Sequence, residues 1–208
     1  MPMNSRVNTL RNALLLVVMC CSAAHARDNA ITLYGGYRDG GSFTDANTDN
    51  VLSLDGSGSG AIAVDLALDA SRQWQWYLSQ QNTTMAITQA AAPAPASLPL
   101  KLTYLHFGGT YFFQGPVGGG PYVVGGLGAT VMRPGLSGYT DELRASMNLG
   151  LGYQLPLGEQ VALRFEARGY FTAVNSNGGL FCSGGCVLHI KADAVTQGEL
   201  QLGLSFRY

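Results

Sequence analysis

The sequence predicts an all-β fold: an eight-stranded antiparallel up-and-down β-barrel that spans a membrane. Three observations predict it. First, the chain closes on Gln201-Leu202-Gly203-Leu204-Ser205-Phe206-Arg207-Tyr208, with two aromatics two residues apart at its end. Leu188, Ile190, Leu200, Leu202, Leu204, Phe206 and Tyr208 share one face of this segment. His189, Lys191, Asp193, Gln197, Glu199, Gln201, Ser205 and Arg207 share the other. A strand apolar outside, polar inside and tipped with aromatics is what a bilayer-spanning barrel requires. Second, period-two alternation divides the rest into seven further segments whose connections alternate long and short. Third, the N-terminus reads as an export leader. Arg6 and Arg11 precede the apolar run Ala13 to Met19, and Ser22-Ala23-Ala24-His25-Ala26 ends in an A-x-A cleavage site. Residues 1–26 are therefore expected to be removed, leaving 27–208 as the barrel domain. Cys21 follows Cys20 and Met19 where a lipid-modification site needs small residues, which argues against a lipoprotein.

The strands follow in order. Ile31 to Arg38 sends Ile31, Leu33 and Tyr37 outward and Thr32, Tyr34 and Arg38 inward. After a polar loop, Asp39 to Asn50, the second strand keeps its phase through Leu52, Leu54, Ile62, Val64, Leu66 and Leu68, with Asp65 and Asp69 inward. The stretch Gly56 to Gly60 weakens its upper end. A tight turn at Ala70-Ser71-Arg72 leads to strand three, where Trp74, Trp76 and Leu78 face out and Gln73, Gln75 and Tyr77 face in. A second long loop spans Gln80 to Pro99 and includes Ala90-Ala91-Ala92-Pro93-Ala94-Pro95-Ala96, read as extended chain. In strand four, Lys101 to Phe113, the phase that points Leu105, Phe107, Tyr111 and Phe113 outward keeps His106 away from lipid. The Gly-rich turn Gln114 to Pro121 leads to strand five, Tyr122 to Met132, and the loop Arg133 to Glu142 to strand six, Leu143 to Leu155. Ala145, Met147, Leu149, Leu151 and Tyr153 face out on strand six. After the turn Pro156 to Gln160, strand seven, Val161 to Val174, sends Leu163, Phe165 and Phe171 out and Arg164, Glu166, Arg168 and Tyr170 in. The loop Asn175 to Cys186 precedes the last strand.

Long loops on one side and short turns on the other place both termini with the turns, in the periplasm of a Gram-negative cell. Trp74, Trp76, Tyr111, Phe113 and Tyr153 are expected to form an interfacial aromatic girdle. A soluble ligand-binding barrel would carry the reverse pattern, and Asp65, Arg164, Glu166, Arg168 and Lys191 opposite apolar faces exclude it.

Composition agrees. Removing 26 of the 208 residues leaves 182, enough for eight membrane strands with loops. Two of the twelve Lys and Arg lie in the leader and none of the thirteen Asp and Glu, so the exported chain carries a formal −3. That balance gives no support to a nucleic-acid partner, and none is expected. Glycine, 28 of 208, is about twice its usual ~7% share. Gly125, Gly126, Gly128, Gly150, Gly152 and Gly203 sit within apolar runs, as suits a narrow barrel crowded by its own side chains.

Tyr104-Leu105-His106-Phe107-Gly108-Gly109-Thr110-Tyr111-Phe112-Phe113, Pro121 to Thr130 and Leu163-Arg164-Phe165-Glu166-Ala167-Arg168-Gly169-Tyr170, with the terminal segment, resemble the small outer-membrane β-barrel domain proteins of Gram-negative bacteria, the OmpA/OmpX-type barrels. In that resemblance Gln201, Gly203, Phe206 and Tyr208 match the C-terminal signal read by the barrel assembly machinery. The resemblance implies fold and compartment, and no single activity unites such proteins. With the signal at the end of the chain, no peptidoglycan-binding domain is expected after it.

Three constellations carry chemistry. Arg38, Asp65, Asp69, Arg144, Arg164, Glu166, Arg168, Lys191, Asp193, Glu199 and Arg207 point inward, six positive and five negative. They make either an ion path or an ion-paired core, and near-balance in a lumen that side chains can fill favours the core. The expected set is Arg38, Asp65, Arg144, Arg164, Glu166, Arg168, Lys191, Asp193 and Glu199. Cys182 and Cys186, the two cysteines outside the leader, read as a disulfide in an exported loop. With His189 they form C-x3-C-x2-H, a metal set lacking a fourth ligand. Thirdly, of the two histidines outside the leader, His106 and His189, the second could meet Ser176, Ser183 or Glu142 near the extracellular rim; this gives the only enzyme reading, a lipid A acyl hydrolase, and no motif selects a nucleophile and base. Asp39, Asp45, Asp49, Asp55 and Asp141 are too dispersed to define a calcium site. The expectation is thus a monomer with a closed polar core, no cofactor and a structural or surface-interaction role, its partners being outer-membrane lipid and lipopolysaccharide. A narrow channel or carrier for a small or apolar solute is the alternative.

Overall fold

The computed structural model describes residues 28–44, 51–86, 97–136, 140–174, 179–180, 188–189 and 194–208. Eight long strands form the wall: β1 (Ala30–Asp39), β2 (Ser57–Ala67), β3 (Arg72–Ala86), β4 (Ser97–Phe112), β5 (Gly120–Pro134), β6 (Glu142–Pro156), β7 (Val161–Ala173) and β8 (Ala194–Arg207). Each pairs antiparallel with its sequence neighbour, and β1 pairs with β8 to close the barrel. The register fixes its shape. One row of paired residues runs Pro121, Tyr153, Phe165, Leu202, Gly35, Gly60, Gln80, Thr103 and returns to β5 at Val131, ten residues above its start. A shear of ten over eight strands tilts them by about 40° and leaves a bore that side chains fill.

The start of β1, the C-terminal Tyr208 and the three short turns lie at one end, the terminal end. Tyr208 N–H donates to the Asn29 carbonyl at 3.0 Å, and Arg207 N–H to the Gln160 carbonyl at 2.7 Å. The turn after β4 does more than connect. Val117 N–H reaches the Ala70 carbonyl at 2.7 Å, and its side chain is buried with Phe112, Tyr122 and Val124, which closes this end of the bore.

Outward positions carry the apolar residues. Leu33, Leu78, Leu105, Leu127, Leu151, Phe165 and Leu202 are all exposed, as the alternation requires. Near the terminal end Trp74, Trp76, Tyr111, Phe113 and Tyr153 are exposed with Phe206 and Tyr208; Trp74 stacks on Phe107 at 5.4 Å. Together these form an apolar belt with an aromatic rim, a surface built to face hydrocarbon.

Several elements depart from the sequence reading. The second long loop is shorter than Gln80 to Pro99, because β3 runs to Ala86 and β4 begins at Ser97. Over this extension the polarity inverts. Gln80 and Asn82 replace apolar residues on the outside, while Met85, Leu98, Leu100, Leu102 and Met132 turn inside and are buried. The strands thus continue beyond the apolar belt as a small barrel with a dry core, where water rather than lipid is the outer solvent. Leu54 belongs to this core. It is buried instead of facing outward, because the strand is interrupted at Asp55 and Gly56 and Val51–Leu54 is a separate strand beside β3. Asp69 does not enter the bore either; it lies in the β2–β3 turn and pairs with Arg72 at 2.5 Å.

Interior glycines make room for aromatics. Gly203 lies opposite Tyr34 and Gly152 opposite Tyr122, and a Cβ at either glycine would strike that ring.

Candidate functional site

The inward faces of β1, β2, β3, β7 and β8 converge in the bore on three ion pairs stacked along its axis. Nearest the terminal end, Arg164 Nη1 meets Asp65 Oδ2 at 2.7 Å. Above it Arg168 Nε meets Glu166 Oε1 at 2.6 Å, and above that Arg38 Nη2 meets Glu199 Oε2 at 3.0 Å. All six side chains are at most 1% exposed. Three cations and three carboxylates balance, as buried charge must when each ion has lost its water.

Neutral side chains join the pairs into one network. Arg164 Nη1 donates to the Tyr34 hydroxyl at 3.3 Å, and Tyr34 donates to Glu166 at 3.4 Å. Glu166 also accepts from Tyr122 at 2.8 Å and from Gln201 Nε2 at 2.6 Å. The Tyr77 hydroxyl lies 3.0 Å from Gln201 Oε1 and 2.8 Å from the Tyr170 hydroxyl, which donates to Glu199. A second route runs from Arg168 through Gln75 to Asp65, at 3.1 and 2.8 Å. The guanidinium groups also stack on rings. Arg168 sits 3.8 Å from the Tyr77 centroid, and Arg38 lies between Tyr104 and Tyr170 at 4.7 and 4.2 Å. Such contacts gain strength when desolvated.

Of the charges read as inward, Arg38, Asp65, Arg164, Glu166, Arg168 and Glu199 are buried in the bore. Glu199 pairs with Arg38 across the β1–β8 seam, and Arg168 pairs with Glu166 within β7. Arg144 stands apart from the stack: it bonds Glu142 at 3.0 Å near the loop end, part-buried, and does not reach across the barrel. Lys191, Asp193, Cys182 and Cys186 lie outside the described residues. Gln201, expected as part of the assembly signal, is also a member of the lumen network. Among the described residues five tyrosines are buried, Tyr34, Tyr77, Tyr104, Tyr122 and Tyr170, and they carry much of the packing. Their inward phase was the available signal, although tyrosine is as common in the outer girdle. His106 is buried and its Nε2 lies 2.9 Å from Ser146 Oγ, a pairing the sequence reading did not draw. Both side chains are buried in the bore.

No protein-family model matches the chain, and no curated protein matches it at a significant level. Solved structures do. Neisserial surface protein A aligns over 87% of this chain and 97% of its own, with 12% identity and a TM-score of 0.53. The outer membrane protein AlkL, determined in lipid bilayers, aligns over 90% of this chain and 93% of its own, with 15% identity and a TM-score of 0.51. The fold is that of the eight-stranded outer-membrane β-barrels. At such identities the likeness concerns fold alone, so what the barrel does rests on its own residues.

Proposed function

We propose that this chain is an integral protein of the Gram-negative outer membrane, with a closed bore and a structural or surface-interaction role exercised through its loops. The observation that carries the reading is the unbroken ion-pair and hydrogen-bond stack from Asp65 to Arg38. It is covered at the terminal end by Val117 and Phe112 and at the loop end by Leu98, Leu100, Leu102 and Met132. An ion entering would have to break charge-assisted bonds in a medium that returns little solvation. In planar bilayers the protein is therefore expected to show no steady open-channel conductance. A stable, ion-selective current, abolished by changes at Arg164, Glu166 or Arg168, would replace this reading with a pore.

The same reading takes residues 1–26 as a cleaved leader, residues 27–208 as a monomeric barrel with both termini in the periplasm, and lipid and lipopolysaccharide as its surroundings. It takes Gln201, Gly203, Phe206 and Tyr208 as the assembly signal. Changing Phe206 and Tyr208 together to Ala is expected to reduce outer-membrane levels and raise periplasmic degradation, read by fractionation. Unchanged levels would remove the signal assignment. Non-reducing peptide mapping is expected to recover a Cys182–Cys186 crosslink without bound metal; two free thiols would argue against it.

One observation favours a second reading. The buried Leu98, Leu100, Leu102 and Met132 would welcome an apolar solute entering from the loop end. Uptake of a labelled hydrocarbon into vesicles carrying the protein, above protein-free vesicles, would make the carrier reading win.

A further inference from the structure

The lipid-facing wall is not uniformly convex. On the outer side of β3 to β6, Trp74, Tyr111, Val123 and Leu149 border an apolar groove of about 390 Å³ whose lower end meets Leu68 and Arg72. Its floor is the paired Gly109 and Gly125, outward positions with no side chain between large neighbours. By the strand rise and tilt, the groove climbs roughly 14 Å from the terminal rim, about half the ~25 Å apolar belt of such barrels. That is the depth of one leaflet.

The mouth carries an ion pair, Arg72 with Asp69, that holds the guanidinium in place. Arg72 is 60% exposed, and its Nε donates to Asp69 Oδ2 at 2.6 Å. Asp69 Oδ1 accepts the backbone N–H groups of Ser71 and Arg72, each at 2.9 Å. The carboxylate is therefore engaged by its own turn, and the Arg72 hydrogen bonds with those of the backbone hold the Asp69 pKa down at about 2. Asp69 thus holds the guanidinium by Nε and Nη2, and the remaining Nη1 side belongs to a side chain that is 60% exposed at the rim. A fixed guanidinium is matched to a phosphodiester, to which it donates in a fork.

We infer that this groove binds one glycerophospholipid of the leaflet at the terminal end, with an acyl chain laid along Gly109 and Gly125 and the phosphodiester on Arg72. The inference rests on the membrane reading above. Packing in the groove supplies most of the attraction, because lipid tails gain nothing hydrophobic by leaving other tails. The headgroup contact supplies orientation and preference for a phosphate.

The test uses the full-length exported protein, reconstituted into vesicles of phosphatidylethanolamine and phosphatidylglycerol, extracted into mild detergent and weighed by native mass spectrometry. Wild type is expected to retain one phospholipid. Gly125→Leu and Leu149→Trp, which fill the groove from lipid-facing positions, are expected to lower the retained fraction about tenfold. Arg72→Gln is expected to lower retention of both phospholipids but not of added diacylglycerol. Retention unchanged in the filled variants, a lipid-free wild type, or a lipid-free dimer using the groove as its contact would each overturn the proposal. Heat-modifiable migration of each variant reports folding separately, so Leu149→Trp carries the test if Gly125→Leu does not fold. Failure of the folded wild type to enter vesicles would instead overturn the membrane reading.

Discussion

Glu166→Ala is expected to destabilise the barrel by about 3–5 kcal/mol, the usual cost of removing one partner from a buried pair. Glu166 accepts from Arg168 at 2.6 Å, Gln201 at 2.6 Å, Tyr122 at 2.8 Å and Tyr34 at 3.4 Å. Alanine leaves these donors facing a void, and leaves Arg168 a buried cation without its carboxylate, held by Gln75 and the Tyr77 ring. Water must then enter, or a counter-ion must follow it. The measurement is urea unfolding in lipid vesicles, followed by the gel shift between unboiled and boiled protein. A closed barrel resists detergent because it has no free edge, so the folded form should migrate apart from the boiled one. Changing Glu166 and Arg168 together to Met should recover much of the loss, since the penalty comes from the stranded charge more than from the missing pair. A single variant that unfolds at the wild-type urea concentration would mean the stack contributes no stability.

Much of this architecture can be read from residues because a membrane barrel obeys a two-residue code on both faces at once. The phases of β1, β3, β4, β6 and β7 follow from Leu33, Trp76, His106, Leu149 and Arg164 alone, and each falls on the side its polarity demands. The code fails where its premise does. Above the belt the solvent changes from lipid to water, and Leu98, Leu100 and Leu102 obey the opposite rule inside the same strand. Alternation continues without interruption across that boundary, so nothing in the period marks it; only the outward change from Leu78 to Gln80 does. Pairing was less legible than facing. Arg38 and Glu199 are adjacent across the β1–β8 seam, and that seam joins the two ends of the chain, which no local pattern connects. Likewise the capping turn with Val117 reads as an ordinary Gly-rich connection until its bond to Ala70 shows it folded under the bore.

The glycines divide into those that serve side chains and those that serve backbone, and the second kind gives the other large expected effect. At Gly108 an added Cβ would overlap the Gly125 carbonyl oxygen, and at Gly128 it would overlap the Leu105 carbonyl oxygen. Both obstacles are main chain of the paired strand, on a ladder that holds β4 to β5 from Leu100 to Phe112. A flexible side chain could move aside, whereas a carbonyl in a closed ladder moves only if the register opens. Gly108→Ala and Gly128→Ala are each expected to cost at least about 3 kcal/mol and to shift most of the refolded protein to the boiled-like gel position. Gly198→Ala is the control. It lies on β8, exposed, with nothing within 4 Å of the added Cβ, and should stay within about 0.5 kcal/mol of wild type. If Gly108→Ala and Gly198→Ala refold equally well, the close approach of β4 and β5 does not constrain the barrel. If only the first two fail, the glycine excess reflects strand-to-strand contact as well as the crowding of the lumen by Tyr34 and Tyr122.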